Sequence, residues 1–121
     1  MKIAVSVNGR DLDAPVDPRF GRASCFLVVD PETMRFEVVE NSQNLGASQG
    51  AGIQAAASVA REGATVVLTG YCGPKAFQTL RSAGIQVVVG ADGSAREAVR
   101  KFLEGSLQRA QGPNVQGHWA Q

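Results

Sequence analysis

The sequence predicts an α/β domain in which helices cover a mixed β-sheet. Short apolar runs at residues 3–7, 66–68 and 85–89 have the length and composition of strands that are buried on both faces. Segments with apolar residues at helical spacing separate the later runs. Residues 25–40 instead form two strands around Pro31-Glu32-Thr33-Met34, which indicates a hairpin. The order β-β-β-α-β-α-β-α implies a sheet that is antiparallel at one side and parallel at the other.

The first strand, Ile3 to Val7, leads into a long segment without helical periodicity. Residues 8–22 contain two prolines and two glycines. A loop of this length is uncommon inside a compact domain and is often functional. The hairpin strands follow at Cys25–Asp30 and Arg35–Glu40, and partial alternation in the second is typical of an edge strand.

Three later segments predict helices. Each stops near a glycine, at Gly63, Gly84 and Gly105, and glycine is the common residue just after a helix. The third helix opens with Ser94-Ala95-Arg96-Glu97, the pattern of a capping box. Periodicity is lost from Gln108 onward, so we predict one domain over residues 1–107 and a flexible tail over residues 108–121.

The composition excludes several classes of protein. The 121 residues are 44% hydrophobic and 19% charged, which suits a domain whose core stands without disulfides. The net charge of +1 gives no field that favours nucleic acid or an anionic membrane. Met1-Lys2 leads directly into a run too short for a signal peptide or a membrane span, so we expect a cytoplasmic protein.

The turn after the central strand is the first candidate for ligand binding. Val66–Leu68 breaks at Gly70, and the chain resumes at Gly73-Pro74-Lys75, where proline suits the first turn of a helix. A strand that passes through a glycine turn into a helix presents free backbone N–H groups to a ligand. Lys75 can add a charge there, or it can simply be solvated.

The long loop supplies the second candidate. Arg19 and Arg22 flank Phe20-Gly21, so two guanidinium groups could bind an anionic ligand while the aromatic ring shields it. The alternative is that the arginines are solvated or pair with Asp17 or Asp13. Because the loop is long, we favour the ligand role.

Two glycines and a cysteine complete the candidates. Gly50 and Gly52 lie at the start of the first helix, with Ser48 as a potential cap, and they permit either close approach of a ligand or close packing on the sheet. Cys72 could ligate a soft metal or be a small buried apolar residue, and Cys25 is interpreted as packing. His118, beside Trp119, is the only histidine and has no partner at ligand spacing.

Several motifs occur together in a recognisable order. They are Val16-Asp17-Pro18-Arg19-Phe20-Gly21-Arg22-Ala23, Gly50-Ala51-Gly52, Thr69-Gly70-x-x-Gly73-Pro74-Lys75-Ala76 and Gly84-Ile85-x-Val87. With these motifs the chain resembles the dinitrogenase iron–molybdenum cofactor biosynthesis family from Met1 to about Leu107. The resemblance implies a ribonuclease-H-like layered fold, with three helices and a mixed five-stranded sheet of order 3-2-1-4-5 in which strand 2 is antiparallel.

The resemblance also implies a function. It implies a non-catalytic binding or carrier protein for a molybdenum-containing metal–sulfur cluster, of iron–molybdenum or molybdenum–copper type, which purified protein can lack. The implied partners are the cluster and a protein of cluster assembly, with no nucleic acid or membrane, and the chain is expected to be a monomer or weak homodimer. The chain departs from the family pattern at two places. Position 72 is a cysteine, and residues 44–48 carry no histidine, although many relatives have one near the glycine-rich helix start.

The first hypothesis is therefore a cluster held by arginine, lysine and backbone N–H groups at the switch point between strands 1 and 4. The second is an adaptor or regulatory interaction domain without a cluster, to which the tail contributes Trp119. The third, an enzyme acting on a phosphorylated or nucleotide ligand, lacks a general base at a convincing position. Nuclease activity is excluded because strands 1 and 4 carry no acidic residue to hold metal ions.

Overall fold

The structure is a computed structural model that describes residues 1–41 and 50–110. Its strands are β1 (Ile3–Val7), β2 (Cys25–Val29), β3 (Phe36–Glu40), β4 (Val66–Leu68), β5 (Gln86–Val89) and β6 (Gln108–Arg109). Its helices are α1 (Ala51–Arg61), α2 (Pro74–Ser82) and α3 (Ala95–Leu103).

The strands form one mixed sheet in the order β3-β2-β1-β4-β5-β6. β1 is antiparallel to β2 and parallel to β4, and β5 is parallel to β4. The predicted core order, 3-2-1-4-5 with an antiparallel second strand and three helices, is confirmed. β1 lies between β2 and β4. From β1 the chain continues to β2 and β3 on one side, and then returns through α1 to β4 on the other side. This is the topological switch point where open α/β sheets bind ligands.

The sequence does not predict the sixth strand. β6 pairs antiparallel with β5, with Arg109 opposite Val88. The sheet thus extends two residues past the predicted boundary at residue 107. The sequence does not indicate this strand, because two residues are too few to show any periodicity. Residues 111–121, with His118 and Trp119, lie outside the described residues, so the predicted flexible tail stays a prediction there.

The core lies in two layers on opposite faces of the sheet. On one face, α1 and α2 pack on Ala4, Phe26 and Val67. On the other face, α3 packs on Ile3, Val5 and Val7 together with apolar residues of the long loop. Every residue of β1 and β2 is buried, which explains why the sequence of these strands is a continuous apolar run.

The three helices begin differently. The predicted capping box closes α3: the Glu97 N–H donates to Ser94 Oγ, and the Ser94 N–H donates to the Glu97 carboxylate, each at 3.1 Å. The backbone N–H of Ser94 lowers the pKa of that carboxyl. Among the described residues, neither the N-cap residue of α1 nor that of α2 supplies a side-chain cap. Within that part of the chain, their first-turn N–H groups are therefore available to another acceptor.

Within residues 1–41 and 50–110, no helix combines the length and the apolar character that a membrane crossing requires.

Candidate functional site

The long loop of residues 8–22 is hydrogen-bonded to its neighbours. Its first half lies against the connection between β5 and α3: the Val16 N–H donates to Gly93 O at 2.8 Å, and Ala14 O accepts from the Ala95 N–H at 2.9 Å. These bonds hold the loop to the closed N-terminus of α3. The loop is therefore an ordered strap across this part of the sheet edge.

The second half of the loop meets the turn between β4 and α2. Pro18 O accepts from the Tyr71 N–H at 2.7 Å, and the Phe20 N–H donates to Tyr71 O at 3.3 Å. Arg19 and Tyr71 consequently lie side by side as in a parallel bridge. The loop crosses the carboxyl ends of β1 and β4, the edge at which the sequence predicts the ligand.

A buried polar cluster holds the loop to the strands beneath it. Ser6, Asp17 and Thr69 are each at most 1% exposed. Ser6 Oγ lies 2.7 Å from Asp17 O and 2.8 Å from Thr69 Oγ1, and the Asp17 N–H donates to Ser6 O at 2.8 Å. Buried polar groups are tolerated when they are hydrogen-bonded. The Ser6–Asp17–Thr69 cluster therefore fixes the height of the loop above β1 and β4.

We expect Ser6→Ala to lower the free energy of unfolding by about 1–3 kcal/mol, because it removes the hydroxyl donor to Asp17 O and leaves Thr69 Oγ1 with only its 3.5 Å bond to Pro18 O. Chemical denaturation measures the loss. Ser58→Ala is the matched control: that hydroxyl donates to Gln54 O on the surface of α1, so its loss should stay within about 0.5 kcal/mol. Equal losses in the two variants would contradict the anchoring role of Ser6.

Arg19 is both paired and available. Asp17 Oδ1 accepts from the Arg19 N–H at 2.9 Å and from Arg19 Nε at 3.5 Å. The arginine side chain is 48% exposed, whereas Asp17 is 1% exposed, and Asp17 Oδ2 has no partner among the described residues. Asp17 thus tethers the guanidinium through Nε. Arg19 can therefore pair with Asp17 and bind an anionic ligand at the same time, so the two alternatives are compatible.

Arg22 ends a short 3-10 turn, Phe20–Arg22, that packs on α1. The buried side chain of Asn41 holds this turn, since its Nδ2 donates to Ala23 O at 2.8 Å and to Gly21 O at 3.3 Å. Arg22 itself is half-buried. Arg22 therefore ends a turn that lies against α1.

Phe20 does not lie at the surface between the two arginines, where the sequence suggests a shielding contact. It is fully buried, and its ring centroid is 5.1 Å from that of Phe26. A large aromatic side chain gains more free energy in the core shared with α1 and α2 than over a solvated site. Phe20 therefore anchors the loop, and a shielding contact would require it to leave the core.

The predicted glycines have distinct roles. Gly50 is the N-cap of α1 with a φ of +82° and no described atom within 4 Å of the position that a Cβ would take, and Gly52 is buried in the first turn. The suggested cap Ser48 lies outside the described residues. Gly70 is in close contact with Pro18, and Gly73 is the buried N-cap of α2. Backbone approach to a ligand thus remains open at Gly50, whereas Gly70 is explained by packing.

The N-terminus of α2 also matches the sequence prediction. Pro74 occupies the first turn, and Lys75, the next residue, is exposed. Since the 3-10 turn packs on α1 and α1 packs on α2, the loop with its arginines and both uncapped helix starts belong to one side of the sheet edge. The closed start of α3 lies with the first half of the loop.

The cysteines are poorly placed for metal binding. Cys72 is fully buried, and desolvation raises the pKa of its thiol to about 12, so it is protonated at neutral pH. Burial also raises the pKa of Cys25, which lies 3.7 Å from a carboxylate oxygen of Glu40. No three histidine, cysteine or acidic residues gather into a metal site within the described ranges. Ligation by Cys72 stays a prediction that would require its turn to open.

The fold and this edge define a small α/β domain with a basic, amide-rich site above a switch point. The chain belongs to the dinitrogenase iron–molybdenum cofactor family, whose model matches residues 1–105. Family membership, expected from the motifs, is thereby confirmed.

Solved structures and one curated protein resemble the chain closely. The apo form of the orange protein from Desulfovibrio gigas is 51% identical, with a TM-score of 0.92 over 94% of this chain and 96% of that one. A putative NifB protein from Thermotoga is 32% identical, with a TM-score of 0.82 over 96% and 98%. An uncharacterized protein of Methanocaldococcus jannaschii is 31% identical over 90% of this chain and 91% of its own length.

Proposed function

We propose that this protein is a non-catalytic carrier of an anionic molybdenum-containing metal–sulfur cluster. The cluster is cargo, bound above the β1/β4 switch point. The observation that carries the proposal is the tethered, half-exposed guanidinium of Arg19 beside the turn that opens α2. The family of the chain, and its similarity to the orange protein, support the same class of cargo.

The donors on this edge fit an anion held by hydrogen bonds. Arg19 offers a planar set of donors, Lys75 offers an exposed ammonium, and Arg22 ends the 3-10 turn that packs on α1. The uncapped first turns that follow Gly50 and Gly73 add backbone N–H groups and the positive ends of two helix dipoles. Hydrogen bonds from charged donors are stronger than neutral ones, so such a set retains a multiply charged anion.

The same residues disfavour covalent attachment. A cluster attached through sulfur requires a thiolate, and the Cys72 thiol is buried with a pKa of about 12. The proposed mode of binding is therefore electrostatic, and the cargo can be transferred without breaking a protein–metal bond. A carrier that delivers a preformed cluster to a protein partner benefits from this reversibility.

The expected result is that apo-protein mixed with thiomolybdate and copper(I) keeps a visible chromophore through desalting. Arg19→Ala should weaken retention about tenfold, the effect of one charge-assisted hydrogen bond of about 1.5 kcal/mol. Arg22→Ala should also weaken retention of the chromophore. Absorption titration of the desalted protein gives the affinities.

Arg100→Ala is the control, because that exposed arginine lies on α3, on the opposite face of the sheet. It removes the same charge without touching the proposed site. No chromophore on the wild-type protein, or equal retention by the Arg19, Arg22 and Arg100 variants, would refute the proposal. Salt should weaken retention by wild type, since exposed charge pairs are screened.

A further inference from the structure

A second concave surface lies at the opposite edge of the sheet from the long loop. We call it the amino-edge groove, because it borders the start of β4 at Val66 and of β5 at Gln86. The end of α2 and strand β6 form its other walls, and its volume is about 780 Å³. This size falls within the range of small-molecule sites.

The charge of the groove is one-sided. Arg81, from α2, and Arg109, from β6, both line it, and among residues 1–41 and 50–110 no acidic residue does. Neither arginine makes an ion pair with the described part of the chain. The Arg81 guanidinium lies 5.5 Å from the centroid of the Phe77 ring, a contact that supports its position.

Another groove of the protein has a lining of mixed charge. The groove beside α1, of about 320 Å³, is lined by Arg61 together with Glu40 and Glu62. There the lining carries both signs of charge, with Glu40 paired to Arg10. The lining of the amino-edge groove carries only positive side chains, so its two guanidinium groups are suited to an anion from outside the chain.

We propose that the amino-edge groove binds a phosphorylated small molecule of the nucleotide class. The planar forks of Arg81 and Arg109 match phosphate oxygens, and guanidinium–phosphate pairs are often bidentate. Met1 and Ile85 supply apolar wall for a ring, and the Gln86 amide offers a polar contact to it. A nucleic-acid strand is disfavoured, because the net charge of +1 gives no extended basic field.

The carboxyl end of α2 borders the groove at Gly84, and a helix C-terminus carries partial negative charge. The effect is small here, because the last carbonyls already accept hydrogen bonds: Thr79 O and Leu80 O from the Ala83 N–H, and Arg81 O from the Gly84 N–H. The charges of the two arginines therefore dominate at this surface.

Calorimetric titration of the full chain with adenosine diphosphate, without added metal, tests the proposal. We expect measurable binding, with adenosine alone and inorganic phosphate alone each binding more weakly. Arg81→Ala combined with Arg109→Ala should weaken binding of the diphosphate about tenfold or more. Gln86→Glu, which introduces a carboxylate into the groove, should also weaken it.

Arg61→Ala is the matched control, since it removes an exposed arginine from the last turn of α1 just as Arg81→Ala does from that of α2. It should bind the diphosphate as wild type does, and so should Arg19→Ala, which separates this groove from the cluster site. Absence of binding to the wild-type chain would overturn the proposal. Unchanged binding by the double variant and Gln86→Glu, or loss of binding with Arg19→Ala, would overturn it too.

Discussion

Gly70→Ala is expected to lower the free energy of unfolding by about 1–3 kcal/mol and to weaken cluster retention as well. A Cβ at residue 70 would lie 2.6 Å from Pro18 Cα and 2.8 Å from Pro18 O. Those are backbone atoms, so no side-chain rotation relieves the overlap. The loop must move away from the β4–α2 turn, which breaks the bond between Pro18 O and the Tyr71 N–H and displaces Arg19.

Gly105→Ala separates this clash from the general cost of replacing a glycine. Gly105 has a φ of +78°, and no atom of the described residues lies within 4 Å of the position that a Cβ would take, so alanine there meets only backbone strain of about 1 kcal/mol. It lies after α3, away from the loop, and should leave retention of the chromophore unchanged. If Gly70→Ala retained the chromophore as Gly105→Ala does, the loop position would not determine binding.

The elements that the sequence predicts well are those specified by local patterns. β1 lies at the predicted residues 3–7, and the predicted central strand matches β4. The capping box at Ser94 and Glu97 needs only residues three apart, so it is visible without the fold. The motif resemblance supplies the order of the strands, which local patterns alone leave open.

The site is harder to predict, because its organisation depends on contacts between distant residues. In the sequence Ser6 is one polar position in an apolar strand, yet it joins residues 17 and 69. Asp17 has the sequence context of an ordinary loop acid, and nothing local shows that it is buried beneath Arg19. Asn41 follows a predicted edge strand, and only the fold brings it to the carbonyl of Ala23.

Phe20 illustrates the same limit from the other direction. Between two arginines in a loop, an aromatic residue suggests a contact with ligand, and its partner Phe26 lies in a strand that the sequence does not connect to that loop. The useful signal would be a buried polar residue near a candidate loop. Ser6 interrupts the apolar strand β1, and Thr69 directly follows the apolar strand β4. Both polar residues lie at the carboxyl edge of the sheet, and together they indicate where the loop is fixed.

Alkaline pH should destabilise the protein through Cys72. Desolvation raises the pKa of its thiol from 9.0 to about 12 in the folded chain. Between these values the unfolded chain has lost the proton that the folded chain keeps, so the unfolded state gains stability. The contribution is fully present below pH 9 and is lost toward pH 12, at up to about 1.4 kcal/mol per pH unit.

Denaturation at a series of pH values measures this slope, and Cys72→Ala isolates it. The variant loses some packing at every pH, so the comparison is between slopes above pH 9 and not between absolute stabilities. Wild type should lose stability more steeply than the variant, while the raised pKa of Cys25 contributes equally to both. Identical slopes would mean that the Cys72 thiol ionises in the folded chain, and a thiolate ligand at the cluster site would then become tenable.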